Sequence, residues 1–292
     1  MANCILASPN YVDTEARFAA VGFSGGIWRP TLPLTNLRSR FLSDVARSVN
    51  VTTAATQLVI DLGQERDIRV IAIPNAVVSR DATAQVRLYS NAALTTLVYD
   101  SGVKPWYPVV YPFGTLPYPS ASFWDGKLTE EEADGYPIPW IDIAPEPQVA
   151  RYAKINVYDT GNENGFIDLT RVILAPGWQP TLNLIYGASV AWESETQVGT
   201  SLGGARFYDV RKKRRVMQFG FDYLSQDEAL ARAFDFNFRQ GVDRQFFFIF
   251  DPDDTIHLHR RAFLATMRQL SQFEYPVFDR MKVGFSIEEV TE

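Results

Sequence analysis

The sequence predicts a mainly β protein in two domains with one helix, and three observations carry that expectation. Apolar and polar residues alternate with a period of two through most of the chain, and short clusters of Pro, Asn, Asp and Gly interrupt them at close intervals. One stretch alone carries a helix-capping signature followed by a stripe at i, i+4 spacing. At 292 residues the chain exceeds what one core usually supports, so domains are expected over 1–180 and 181–292.

The first domain sets its pattern at 57–63, where Leu58, Ile60 and Leu62 alternate with Val59 and Asp61 and Gly63 is expected to end the strand. Strands are also expected over 68–73, 84–90 and 96–99, with turn residues between them, and short strands at this spacing suggest a sandwich. From 104 to 147 the alternation gives way to a segment crowded with Pro and aromatic residues. It reads as a long insertion, and this many large rings argue that it is ordered. Strands resume at 151–158, with Ala153, Ile155 and Val157 on one face, and at 166–174, beyond a polar turn at 159–165; 175–180 then reads as a linker.

The second domain begins with strands expected over 182–192 and 205–210, and then 216–223, where Met217, Phe219, Phe221 and Tyr223 share an apolar face. Ser225 and Glu228 have the spacing of a capping box, so a helix is expected near 226–239, with Leu230, Phe234 and Phe238 on one stripe and Gly241 as its stop. A buried strand at 246–250 and two more at 261–270 and 280–290 complete it.

Composition narrows the function. Against 34 acidic residues stand 28 Lys and Arg, a net charge of −6 without the basic excess that phosphate backbones require, so no nucleic-acid partner is expected and the basic run 211–215 reads as a solvated turn. The single cysteine, Cys4, excludes an intrachain disulfide and a multi-cysteine zinc site. No apolar run approaches the roughly 18 residues of a membrane span, and the N-terminus lacks a charged region before its short apolar stretch, so neither membrane insertion nor a secretion signal is expected.

Catalytic signatures are missing as well. Two histidines and no G-x-S-x-G elbow leave a serine or cysteine nucleophile without a base, and 22–26 lacks the dinucleotide fingerprint. His257 and His259, taken as alternating on a strand, are too few for a zinc site and carry no H-E-x-x-H motif, and Asp251, Asp253 and Asp254 upstream read as ordinary turn chemistry, so no metal site is expected. Glu130, Glu131, Glu132 and Asp134 read as a solvated acidic loop. The expectation is a protein with no catalytic residues, no metal and no cofactor.

Two resemblances sharpen this. Residues 58–63, 68–73 and 150–157, with a hydrophobic-Asp-Leu-Gly strand early and Ala150, Arg151 and Tyr152 opening a late one, resemble discoidin-like, galactose-binding-like jelly rolls over roughly 35–176. The aromatic insertion and the lack of a cysteine pair depart from that family. The stretch from Arg214 through the capped helix into 246–252, ending in 284–289, is similar to phage tail proteins of the distal-tail or minor-tail kind, although those usually carry the ring-forming domain first. Together the resemblances imply a galactose-binding-like sandwich followed by a β-rich tail-assembly domain, and a structural component of a phage tail tip or baseplate. Such a protein would form a homo-oligomeric ring with other tail proteins, assemble in the host cytoplasm and leave with the virion. The alternative is a carbohydrate-binding protein or accessory module of a glycan-active enzyme.

The recognition surface is expected in the insertion. Trp106, Tyr107, Tyr111, Tyr118, Trp124, Tyr136 and Trp140 either cover the edge of the sandwich core or are the candidate contacts to host surface glycan or a neighbouring protein, because flat rings stack on sugar faces and bury area at low entropic cost. The polar turn 159–165 is a second candidate.

Overall fold

The computed structural model describes residues 3–13, 21–133 and 137–291. The chain is mainly β throughout. One sheet runs in the order Ile173–Ala175, Gln57–Ile73, Trp140–Tyr158, Thr83–Tyr89, Leu97–Asp100, with Gly22–Ser24 and Lys104–Pro105 added at its edges. A three-stranded sheet, Ala46–Arg47, Asp168–Leu169 and Ala76–Val77, closes the sandwich over a core that includes Leu37, Leu58, Ile60, Val86, Ile155 and Leu169. All pairings are antiparallel, as a jelly-roll sandwich requires.

The strand predicted to end at Gly63 continues to Ile73. Gly63 sits at a bulge, where the pairing with Trp140–Tyr158 shifts register between Asp61 and Arg66 and the glycine adopts φ 75°. Asp61 accepts the Gly63 N–H at 2.8 Å and binds the Arg151 guanidinium at 2.8 and 3.0 Å, which holds its carboxyl below the usual range. The insertion is shorter than expected at its far end, because Trp140 already opens a strand and Ile141, Asp142 and Ile143 pair with Ala72, Ile71 and Val70. The strand expected over 166–174 is realised only as two short pieces, Asp168–Leu169 and Ile173–Ala175.

In the second lobe a sheet runs Ile5–Ala7, Phe246–Ile249, Ala262–Met267, Arg280–Glu289, Arg214–Ser225, Ser189–Glu193, with Phe273–Val277 also on Arg280–Glu289. Its first strand comes from the far end of the sequence: Ile5, Leu6 and Ala7 pair with Ile249, Phe248 and Phe247. Trp178, in the expected linker, locks onto the same strand through two backbone bonds to Leu6, each 2.9 Å. Residues 5–7, which fall within the expected first domain, thus pair with the sheet of the second lobe.

Strand alternation explains why so many apolar residues run together here. Phe246, Phe248, Phe263 and Ala265 face the second lobe's own core, while Phe247, Ile249, Ala262 and Leu264 face the other way, onto Val70, Ala72, Ile173 and Ala175 of the sandwich. The seam between the lobes is thus a third apolar core, with Ile5 and Ala7 in it. Arg171 crosses beside it, fully buried, binding Asp13 at 2.7 Å and the Gln245 amide oxygen. Removal from water lowers the pKa of that guanidinium, and Asp13 opposes the shift.

The capped helix forms, from Gln226 to Gln240, with Ser225 Oγ accepting the Glu228 N–H at 3.2 Å. Its middle turns, Ala229–Phe234, are wound as a π-helix, and Gly241 stops it at φ 57°. The widened turns rotate the apolar stripe. Ala229, Ala233 and Phe236 enter the core, and Leu230, Phe234 and Phe238 are left exposed. A second phase change falls in Arg214–Ser225, where a bulge between Phe221 and Leu224 puts Tyr223 at φ 63° in solvent and gives its expected core position to Leu224. The expected solvated turn 211–215 also ends early, since Arg215 is buried against Glu289.

Candidate functional site

Two of the seven expected contact residues are core. Trp106 is 3% exposed, donates its indole N–H to the Ile138 carbonyl at 3.1 Å and packs against Trp140, itself 1% exposed, with ring centroids 6.4 Å apart. Both anchor the roots of the insertion rather than its surface. Tyr107 is half-buried against the sandwich core, and burial there raises its phenol pKa. Tyr136 lies outside the described residues.

Tyr111 has a structural part too. Its hydroxyl donates to Glu132 at 2.6 Å, and Glu132 accepts the Thr129 N–H at 2.9 Å while the Thr129 hydroxyl accepts the Glu132 N–H at 3.2 Å. Thr129 and Glu132 thus form a capping box, and the Thr129 N–H followed by the Tyr111 hydroxyl hold the Glu132 carboxyl below its ordinary range. The S/T-x-x-E spacing that marked Ser225 was equally present here; Glu132 stays exposed, as a solvated acidic run implies, and caps the short helix Glu130–Ala133.

What remains at the surface is a cluster of rings. Phe113, Tyr118 and Trp124 are 81%, 73% and 77% exposed and all lean on Phe123, at centroid distances of 6.4, 5.5 and 4.9 Å, the last two edge to face. Phe113 and Phe123 were outside the expected contact set, although they lie in the same aromatic run. A dense bracing holds the cluster. Arg80 of the sandwich reaches into the loop and donates to Asp125 at 2.7 Å, to the Leu128 and Lys127 carbonyls at 2.8 and 3.1 Å, and to Ser122 at 3.2 Å. Val110 and Tyr111 both donate to the Gly126 carbonyl, and at φ 63° a side chain on Gly126 would run into the Tyr111 carbonyl.

Arg80 also lines a polar cavity of ≈ 490 Å³ with Ser79, Asp81, Glu130, Tyr158 and the 159–164 turn, the second candidate region. Within it Asp159 is buried and fully engaged, accepting from Ser79 N–H at 2.9 Å, from the Ser79 hydroxyl and from Asn162 at 2.8 Å, so it shapes the turn. Asp81, paired with Lys127 at 3.1 Å, keeps its carboxylate largely in solvent. Arg80 therefore links the polar cavity to Ser122 and Asp125, which flank Phe123 and Trp124 of the ring cluster. A second cleft, ≈ 700 Å³ between the lobes, is floored by Phe263, Leu264 and the bonded Arg215 and Glu289 and is the mouth of the seam.

The two histidines do not alternate on a strand. His257 precedes a short helix, Leu258–Arg261, and His259 is buried within it, where burial first and the neighbouring Arg260 and Arg215 next push its pKa down to about 4. Among the described residues no group of three or more His, Cys, Asp or Glu side chains is placed to hold a metal ion. No described helix is long and apolar enough to cross a membrane.

No family model and no curated protein matches the chain. Among solved structures, it is similar to a CBM32 module of a family 31 glycoside hydrolase from Clostridium perfringens, at 10% identity over 54% of this chain and 95% of that one, with a TM-score of 0.36. It is also similar to the family 32 CBM of Clostridium perfringens NanJ, solved with galactose, at 13% identity over 53% and 93% and a TM-score of 0.34. A Streptococcus pneumoniae fucose binding module overlaps at 12% identity over 57% and 95%, with a TM-score of 0.37.

Proposed function

We propose that this protein is a non-catalytic glycan-binding protein whose sandwich presents the 113–124 ring cluster, beside the Arg80 cavity, to a saccharide. The observation that carries the reading is the exposure of three large rings around Phe123 on a loop braced against collapse. A rigid platform loses little entropy on binding, and the adjoining carboxylates and amides suit sugar hydroxyls. Calorimetric titration against a panel of neutral and acidic oligosaccharides tests it. Trp124→Ala is expected to weaken the best binder by roughly tenfold, the scale of one lost stacking contact, with the urea midpoint unchanged. A panel without a binder, or an affinity indifferent to Trp124, overturns the reading.

A second reading sets the same surface on a structural component of a phage tail tip or baseplate, in a homo-oligomeric ring with other tail proteins, assembled in the host cytoplasm and carried on the virion. The uncovered stripe Leu230, Phe234 and Phe238 favours it, because apolar helix faces left in water generally await a partner. Closed rings in electron micrographs of the purified chain are the expected result; isolated particles of single-chain size count against it.

A further inference from the structure

The second lobe carries a hairpin that no other described strand covers. Gln197–Thr200 and Arg206–Asp209 pair only with each other, and every residue in both strands is exposed. Val198 stands opposite Tyr208, Phe207 projects from the other face, Leu202 lies at the turn, and Val210 follows. A two-stranded ribbon by itself is at best marginally stable in water, and this one displays apolar side chains on both faces. Its turn is nevertheless well formed, with Ser201 N–H bonded to the Ala205 carbonyl at 2.8 Å and Gly204 N–H to the Ser201 carbonyl at 2.9 Å.

On the same lobe a different surface is also uncovered. Phe238 is 85% exposed on the helix stripe, and Phe234 beside it meets Phe273 at 5.4 Å. Phe273–Val277 is bonded on one side only, to Arg280–Glu289, and adds exposed Tyr275, Val277 and Phe278 next to that stripe. The charges around the two surfaces are opposite. Arg206, Arg211, Lys212 and Lys213 stand against Asp209 alone in 197–213, whereas Asp227, Glu228, Asp235 and Asp243 outnumber Arg232 and Arg239 in 226–243.

We propose that the 197–209 hairpin of one copy docks on the Leu230, Phe234 and Phe238 face of a second copy of this chain. Because the two surfaces differ, the contact is heterologous and repeats from copy to copy, closing into a ring if the rotation permits. The inference deepens the assembly reading above and rests on it; glycan binding does not depend on it.

Sedimentation of the full chain with two double variants, Phe207→Ser with Tyr208→Ser and Phe234→Ser with Phe238→Ser, tests the contact. The altered side chains are largely exposed, so folding is expected to persist and is checked by circular dichroism. Wild type is expected to associate with rising concentration and each variant alone to stay monomeric. A mixture of the two variants is expected to give a one-to-one pair and nothing larger, since only one intact hairpin and one intact helix face then remain to meet. If the helix-face variant still assembles while the hairpin variant does not, hairpins pair with each other and the proposal is overturned. If wild type assembles and both variants assemble like it, this contact is wrong while the assembly reading stands. A wild type that stays monomeric at every concentration removes both.

Discussion

Replacing Glu289 with alanine is expected to destabilise the second lobe by about 3–5 kcal/mol, the usual cost of leaving one charge of a buried pair without its partner. Arg215 and Glu289 are both nearly inaccessible. Glu289 accepts from Arg215 Nε at 2.7 Å, from the terminal nitrogen Nη2 and from the Arg215 backbone N–H at 3.1 Å. Nη1 donates onward to the His259 and Arg260 carbonyls at 3.0 and 3.1 Å, and the guanidinium lies 4.7 Å from the Phe263 ring. The pair thus ties Arg214–Ser225, Arg280–Glu289 and the short helix together at the mouth of the interlobe seam. Urea denaturation monitored by tryptophan fluorescence measures the loss. Two comparisons separate a buried charge from a general defect. Glu195→Ala breaks the 2.6 Å pair with Arg214 at a half-exposed position, and is expected to cost under about 1 kcal/mol. Arg215→Met with Glu289→Leu removes both charges and is expected to recover most of the single-variant loss. A Glu289→Ala midpoint equal to that of wild type contradicts the assignment.

The tryptophans of the insertion are expected to divide into two kinds. Trp106→Ala and Trp140→Ala each open a large cavity at the joined roots of the loop, and a loss of about 3–5 kcal/mol is expected for either. Trp124→Ala removes a ring that stands in solvent and is expected to leave stability within about 0.5 kcal/mol. Thermal melts of the three variants give the comparison. Equal destabilisation by all three would mean that the surface cluster is itself part of the core, and the platform for a saccharide would be lost with it.

The sequence by itself determined what depends on short-range pattern. Alternation at 57–62 and 151–158 was enough for the strands and their core faces, because a strand's two sides follow from its period alone. Ser225 and Glu228 were enough for the start of the helix, because a cap is made within four residues. The aromatic crowding at 104–147 marked the insertion that carries the exposed cluster, but neither its end at Trp140 nor which rings face outward. Trp106 and Trp124 look alike in sequence and differ in what stands next to them in space.

Tertiary structure decided everything that hinges on phase or on distant pairing. The bulge at Tyr223 shifts its strand by a residue, and the irregularity between Ile68 and Val70 moves the sandwich-facing positions from Leu58, Ile60, Leu62 and Ile68 to Ile71 and Ile73, and neither exchange is visible in the alternation itself. A π-wound segment did the same to the helix, so that Leu230, Phe234 and Phe238, the obvious core stripe, became surface while Ala229 and Ala233 went inside. The burial of Phe246–Ile249 was legible in its unbroken apolar run, but its union with residues 5–7, and what its second face packs against, depend on two sheets meeting across a seam. No local pattern encodes that meeting, because its free energy comes from apolar area that exists only once both lobes have formed.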